Sequence, residues 1–165
     1  MRYKKIFHGF DVLFCSIIVL TSIGFLNNAN ALFHDQGSQQ DGVIDDSKKI
    51  IGSLFDRVNT ASNNFQSQIL SINDNETMMN TTQEYIDNLE EIILFAKKTT
   101  VQQDYKPVLN NYIDSIKNEI ESYIHYKEYL VTGNFTENKI SMDLLSNAFN
   151  YETQAIKLYK QLESP

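Results

Sequence analysis

Apolar residues recur at helical spacing along four stretches of the chain. In the longest stretch, from Asp104 to Thr132, they fall on one face at 100° per residue, and the opposite face is polar. The members of this apolar face are Tyr105, Leu109, Tyr112, Ile113, Ile116, Ile120, Tyr123, Ile124, Leu130 and Val131. A stripe this wide has to be covered by more than one neighbouring helix. The pattern therefore predicts a long amphipathic helix around which the rest of the domain packs.

Three further helices are predicted by the same periodicity. The first begins near Asp45 or Asp46 and ends at the turn-forming residues 73–75, the second runs from about Glu76 to Lys98, and the fourth opens at Phe135. The apolar face of the first helix consists of Ile51, Leu54, Phe55, Val58, Ser62, Phe65, Ile69 and Ile72. That of the second consists of Met78, Thr82, Tyr85, Ile86, Leu89, Ile92, Ile93 and Ala96. That of the fourth consists of Leu144, Ala148, Tyr151, Ala155, Leu158, Tyr159 and Leu162.

Signals at the ends of the last two helices support these limits. Asp104 is expected to be the N-cap of the third helix, and Gly133 follows its last periodic residue. Thr136 is expected to cap the fourth helix, with Phe135 packing on Ile140 as a hydrophobic staple.

Long helices joined by short connections run antiparallel to their neighbours in sequence, so residues 43–165 are predicted to form an all-α, up-down-up-down four-helix bundle. The chain has only two prolines and six glycines, which fits long helices with few turns. The alternative is a three-helix bundle in which the first helix is loose.

The N-terminal 31 residues resemble a targeting segment. A basic start is followed by fifteen mostly apolar residues from Val12 to Leu26, and Ala29 and Ala31 supply the small residues that a signal peptidase reads. We expect residues 1–31 to be a signal peptide and the protein to be secreted or extracytoplasmic. The competing interpretation is an uncleaved membrane anchor at residues 10–26, although a membrane span needs about 20 apolar residues. Residues 32–42 are polar, without periodicity, and are predicted to be a flexible spacer.

Charge and cysteine usage narrow the choice of partners. Without Arg2, Lys4, Lys5 and Asp11 of the leader, the chain keeps eleven basic and twenty acidic residues, a net charge of −9. Such a surface repels nucleic acid and anionic lipid, so we expect no nucleic-acid partner and no membrane contact except through the N-terminal segment. The single cysteine, Cys15, lies in the leader, so the remaining chain has no thiol chemistry.

The sequence carries no catalytic or cofactor motif. A di-iron bundle needs Glu-x-x-His pairs, but only His34 and His125 lie outside the leader, and no Glu stands three residues before His125. The acid pairs at 45–46 and 90–91 are adjacent in sequence, so their side chains point about 100° apart on a helix. We therefore expect a protein that is not an enzyme, without metal or cofactor.

Four residues of the third helix are candidates for contact with a ligand: Lys127, Tyr123, Tyr112 and Tyr105. Lys127 falls within the apolar stripe, where its stem can pack while its ammonium reaches solvent, or where a buried ammonium could hold an anionic ligand beside Tyr123. Tyrosines have an apolar body and a polar tip, so they can line a cavity or simply fill a core.

Three Asn-x-Thr sequons begin at Asn75, Asn80 and Asn134 and are candidate N-glycosylation sites. In the predicted topology all three lie at the end of the bundle opposite its N-terminus.

These observations favour an extracytoplasmic helical-bundle module that binds an unknown small molecule or protein and is non-enzymatic. The alternative is a structural or envelope-associated protein that acts through self-association, as a homo-oligomer with coiled-coil contacts along its long faces.

Overall fold

The computed structural model describes residues 42–163, and this part of the chain is a bundle of four helices without strands. The helices are α1 Gly42–Ile69, α2 Asn75–Lys98, α3 Lys106–Thr132 and α4 Phe135–Glu163, with a short 3₁₀ turn at Gln103–Tyr105 before α3. The prediction of an all-α four-helix bundle is confirmed. The predicted signal peptide or anchor and residues 32–41 of the predicted spacer lie outside the described residues.

Contacts between α1 and α2 occur in opposite order along the two helices. The ring of Phe65 stacks on Tyr85 with centroids 4.5 Å apart, and the guanidinium of Arg57 lies 4.3 Å above the ring centroid of Phe95. Ile51 and Leu54 of α1 are fully buried, so the first helix belongs to the core. The alternative of a three-helix bundle with a loose first helix is wrong.

The pair α2 and α3 is also antiparallel. The Asn75 side-chain amide donates to the Leu130 carbonyl over 3.2 Å, and further along the pair the Tyr85 hydroxyl donates to Glu119 Oε1 over 2.7 Å. The first of these bonds ties the start of α2 to the end of α3 at one end of the bundle, which we call the tip. The tip is the end at which α1 ends and α4 begins.

The closest pair is α3 and α4, because the residues between them are small. Ser115 Oγ donates to the Ala148 carbonyl, and Ser122 Oγ donates to the Ser141 carbonyl, each over 2.8 Å. A serine hydroxyl reaches a backbone carbonyl of the facing helix only when the two backbones lie close together. The two bonds are seven residues apart on both helices, so they also fix the antiparallel register.

The opposite end, called the base, joins α1 to α4. The Lys48 ammonium forms an ion pair with Glu163, and the rings of Phe55 and Tyr159 meet at a centroid distance of 6.2 Å. The Tyr105 hydroxyl donates to the same Glu163 carboxylate over 2.8 Å. The last residue of α4 therefore binds both the first turns of α1 and the entry to α3.

The predicted apolar stripes largely form the core. On α2 all eight predicted positions are buried. On α3 and α4, however, Ile124, Val131, Tyr151 and Leu162 are exposed, by 45%, 66%, 36% and 39%. The α3–α4 interface instead buries several small polar residues, which allow the two backbones to approach closely. These buried residues are Ser115, Ser122, Asn138 and Ser141.

The helix ends differ from the prediction at three points. α1 begins at Gly42, about one turn before Asp45, and Asp104 lies in the 3₁₀ turn instead of capping α3. At α4 it is Asn134 whose Oδ1 accepts from the Thr136 N–H over 3.0 Å, so Thr136 is not the cap. Gly133 has φ 67°, a left-handed conformation that glycine adopts without strain, and it ends α3 as predicted.

Within residues 42–163 none of the helices combines the length and apolar character needed to cross a membrane.

The tight α3–α4 interface predicts the response to a larger side chain. Replacing Ala148, which is 4% exposed, by leucine inserts three carbons between two backbones and should cost roughly 1–3 kcal/mol of unfolding free energy. Ser146→Leu on the exposed side of α4 is the control and should change stability by about 0.5 kcal/mol or less. Urea denaturation measures both, and equal midpoints for the two variants would contradict the close packing described here.

Candidate functional site

One acidic residue interrupts the core-facing positions of α3. One series of these positions, which starts in the 3₁₀ turn before α3, follows a strict alternation of three and four residues, and all its members are tyrosine, leucine or isoleucine except Glu119. They are Tyr105, Leu109, Tyr112, Ile116, Glu119, Tyr123, Tyr126 and Leu130. Glu119 is partly buried among them, whereas the other seven are buried.

A second acidic residue occupies the equivalent place on α4. One series of positions that face α3 and the core follows the same alternation, and Glu152 is the only charged residue in this series. They are Asn138, Ser141, Leu145, Ala148, Glu152, Ala155 and Tyr159. Glu152 is also partly buried.

The antiparallel register brings these two carboxyl groups towards each other. The bond from Ser115 to Ala148 marks one level of the α3–α4 pair. Glu119 lies four residues after Ser115 on α3, and Glu152 lies four residues after Ala148 on α4. Because the helices are antiparallel, the Cα atoms of the two glutamates lie on opposite sides of this level along the bundle axis. Helical side chains lean towards the N-terminus of their own helix. Both glutamates therefore lean back to the level of the Ser115–Ala148 bond.

The electrostatics agree with this convergence. Burial raises the pKa of Glu119 to about 7, although the hydrogen bond from the Tyr85 hydroxyl acts in the opposite direction and lowers this pKa. Burial also raises the pKa of Glu152 to about 7, and the charge of Glu119 raises it further. Both groups are thus poised between the neutral and the charged form near neutral pH.

Tyr112 places a buried hydroxyl beside the same carboxyls. It is 2% exposed, and its hydroxyl makes no hydrogen bond within residues 42–163. Burial raises its pKa well above the usual value, and the charges of Glu152, Glu119 and Asp56 add to this effect. A buried hydroxyl without a partner loses about 1–3 kcal/mol of stabilisation, so this position is costly unless something binds there. We call Tyr85, Tyr112, Glu119 and Glu152 the carboxyl site.

The carboxyl site can recognise positive charge or bind protons. Burial raises the pKa of both carboxyls, and the charge of Glu119 raises the pKa of Glu152 further, so a nearby positive charge would favour the charged forms. No group of three or more His, Cys, Asp or Glu side chains in the described part of the chain is arranged to hold a metal ion.

Of the residues predicted to face a ligand, Lys127 lies away from this site and Tyr123 borders it. The Lys127 ammonium donates to Gln83 Oε1 on α2 and is partly buried, so it reaches the surface between α2 and α3. Tyr123 is buried in a group of three rings, with its centroid 5.2 Å from those of both Phe65 and Tyr85.

The other two predicted tyrosines lie at different levels of the bundle. Tyr105 is at the base, where burial and its bond to Glu163 raise its pKa to about 12. Tyr112 packs its ring on Phe55 at 4.3 Å between centroids and belongs to the carboxyl site. The four predicted residues therefore do not meet in one cavity.

The three sequon asparagines are all exposed. Asn75 and Asn134 lie at the tip, where the Asn75 amide binds the Leu130 carbonyl and Asn134 caps α4. Asn80 lies on α2, one turn and a half beyond Asn75. Their use as glycosylation sites stays a prediction.

A shallow groove of about 450 Å³ runs between α1 and α2. Its lining is polar and of mixed charge, with Asp56, Arg57, Asn64, Asn88 and Glu91 among its residues. It opens on the outside of the bundle and presents no concentration of one charge.

The sequence carried a signal for the carboxyl site that a helical wheel at 100° per residue does not emphasise. Glu119 and Glu152 each occupy a core-facing position in a repeat of seven residues, the period that helices use when they coil around each other. Acidic residues at such positions are costly to bury and are candidates for function.

No family model, curated protein or solved structure matches the chain.

The raised pKa values predict that the folded protein loses stability as the pH rises. Each carboxyl binds its proton more tightly in the folded state than in the unfolded state, where the pKa is 4.5. Their contribution is therefore fully present below pH 4.5 and is lost as the pH rises through about 7. The loss is at most about 3 kcal/mol per carboxyl, and less to the extent that water screens these partly buried groups.

Chemical denaturation between pH 4.5 and 8 measures this effect. Glu119→Gln/Glu152→Gln should flatten the profile and be more stable than the wild type at pH 8, since the amides mimic the protonated carboxyls. The control Glu90→Gln/Glu121→Gln changes two exposed acids on α2 and α3 and should keep the wild-type slope. A double carboxyl-site variant with an unchanged slope would show that neither carboxyl is desolvated.

Proposed function

We propose that this chain is an extracytoplasmic binding module, an up-down-up-down bundle formed by residues 43–165 that holds a small ligand or partner without transforming it. The observation that carries the proposal is the carboxyl site. Two partly buried glutamates and an unbonded buried tyrosine hydroxyl lower the stability of the free protein. A ligand that satisfies them recovers this free energy on binding.

The non-enzymatic part of the proposal is supported by the sequence, which carries no catalytic or cofactor motif.

The extracytoplasmic location is supported by the leader. Its basic start, its short apolar run from Val12 to Leu26 and the small residues Ala29 and Ala31 are typical of a cleaved signal peptide. The anchor at residues 10–26 is the competing proposal.

Self-association is the second candidate function, and a feature at the tip favours it. Leu70, Val131 and Phe135 are exposed by 68%, 66% and 58%, and they lie where α1 and α3 end and α4 begins. Exposed apolar side chains grouped at one end of a domain are suited to contact with another protein surface.

N-terminal sequencing of the protein from its source tests the location. We expect the exported protein to begin near Leu32, after the small residues that precede it. An intact Met1 in the membrane fraction would establish residues 10–26 as an anchor instead.

Thermal melts with and without a small-molecule extract from the source test ligand binding. A ligand at about 100 times its Kd stabilises the folded state by about 2.7 kcal/mol, which raises Tm by several degrees for a domain of this size. We expect this rise in the wild type and in Glu90→Gln/Glu121→Gln, but not in Glu119→Gln/Glu152→Gln. No rise in any of the three proteins, together with concentration-dependent sedimentation, would favour self-association.

A further inference from the structure

We propose that the carboxyl site binds the primary ammonium group of a small organic amine, with Glu119, Glu152 and the Tyr112 hydroxyl accepting its three N–H bonds. This inference rests on the proposed binding function and names the chemical class of the ligand.

The charge of the site selects a cation. The groups that face the two carboxyls are Tyr85 from α2, Tyr112 from α3 and the two glutamates themselves, and the exposed Asp56 of α1 adds its negative charge near Tyr112. Each of these groups is neutral or negative at neutral pH. The pKa of Glu152 is raised by the charge of Glu119, so a positive charge placed between them would be attracted by both. An anionic ligand would meet repulsion here.

The number of acceptors selects a primary ammonium. One oxygen of Glu119 already accepts from the Tyr85 hydroxyl, so its other oxygen remains for a ligand. Glu152 supplies a second acceptor, and the unbonded Tyr112 hydroxyl oxygen supplies a third. An alkylammonium has three N–H donors and no acceptor, which matches this set. A quaternary ammonium has no N–H donor and would leave the buried Tyr112 hydroxyl without a partner.

The apolar surroundings suit the alkyl part of such a ligand. The Phe55 and Tyr112 rings meet at 4.3 Å, and aromatic faces attract cations as well as alkyl groups. Phe149 and Ile156, one turn before and one turn after Glu152 on α4, are partly buried like Glu152 itself. The site is therefore reached by solvent from this side of α4, and an alkyl chain lying there would contact apolar side chains.

A divalent metal ion fits less well. Ca²⁺ takes six to eight oxygen ligands, and Mg²⁺ demands near-octahedral geometry. The carboxyl site provides two carboxylates and one phenol, and the described residues include no third acid or histidine arranged with them to bind a metal.

The proposal predicts a defined pH dependence. The ammonium binds the charged carboxylates, so it competes with the protons that both groups hold near neutral pH. Affinity should therefore rise as the pH increases through about 7 and should level off above it.

Isothermal titration calorimetry with n-butylammonium chloride at pH 8 tests the site directly, with tetramethylammonium chloride and calcium chloride at equal ionic strength as competing probes. We expect binding of butylammonium, at least about tenfold weaker binding at pH 5.5, and at least about tenfold weaker binding of both other cations. Glu152→Gln and Tyr112→Phe should each weaken butylammonium binding, the former at least about tenfold because a charge-assisted hydrogen bond is lost. The control Glu90→Gln/Glu121→Gln should bind like the wild type.

The variants are checked for folding by circular dichroism, and Glu152→Gln is expected to fold at least as stably as the wild type at pH 8. Equal binding of tetramethylammonium or calcium would overturn the proposal, since it would show attraction by charge alone. Unchanged binding in Glu152→Gln or Tyr112→Phe would overturn it as well, because the amine would then bind elsewhere. If butylammonium does not bind but the extract stabilises the wild type through Glu119 and Glu152, the amine is the wrong ligand class and the proposed binding function stands.

Discussion

The close approach of α3 and α4 is the constraint on which the rest of the bundle depends. Two serine hydroxyls reach across to carbonyls of the facing helix, Ser115 to Ala148 and Ser122 to Ser141, which is possible only where no larger side chain separates the backbones. These bonds fix the register of the pair without slippage. The register in turn determines that Glu119 and Glu152 lean to one level, and α1 and α2 cover the apolar faces that remain.

The fold was predictable because helical periodicity is a property of each stretch by itself. The eight core positions of α2 were all identified, since that helix buries large apolar residues on one face. The α3–α4 interface was identified only in part: Ala148, Ala155 and Tyr159 are buried as predicted, but a rule that counts apolar residues assigns Ile124 and Val131 to the core and passes over Ser122. In this interface the size of a side chain decides whether it is buried, and the Ser122 hydroxyl is satisfied by the Ser141 carbonyl of α4.

The site was predictable only in part, for a related reason. Tyr112 was recognised as a candidate from its place in the stripe, but the acid pairs considered were neighbours in sequence at 90–91 and 45–46. Glu119 and Glu152 are 33 residues apart, and their proximity depends on how α3 lies against α4. Lys127 is a different case, because a packed stem with its ammonium at the surface was one of the two interpretations of its place in the stripe, and the ammonium donates to Gln83 on α2.

The seven-residue repeat on α3 has a consequence for the shape of the bundle. Leu109 and Leu130 are three repeats apart, and both are buried, at 7% and 6% exposure. On a straight helix of 3.6 residues per turn, a seven-residue repeat drifts by about 20° each time, so these two side chains would diverge by about 60°. A seven-residue repeat keeps such side chains on one seam when helices wind around one another, so the repeat on α3 predicts a left-handed winding of this bundle.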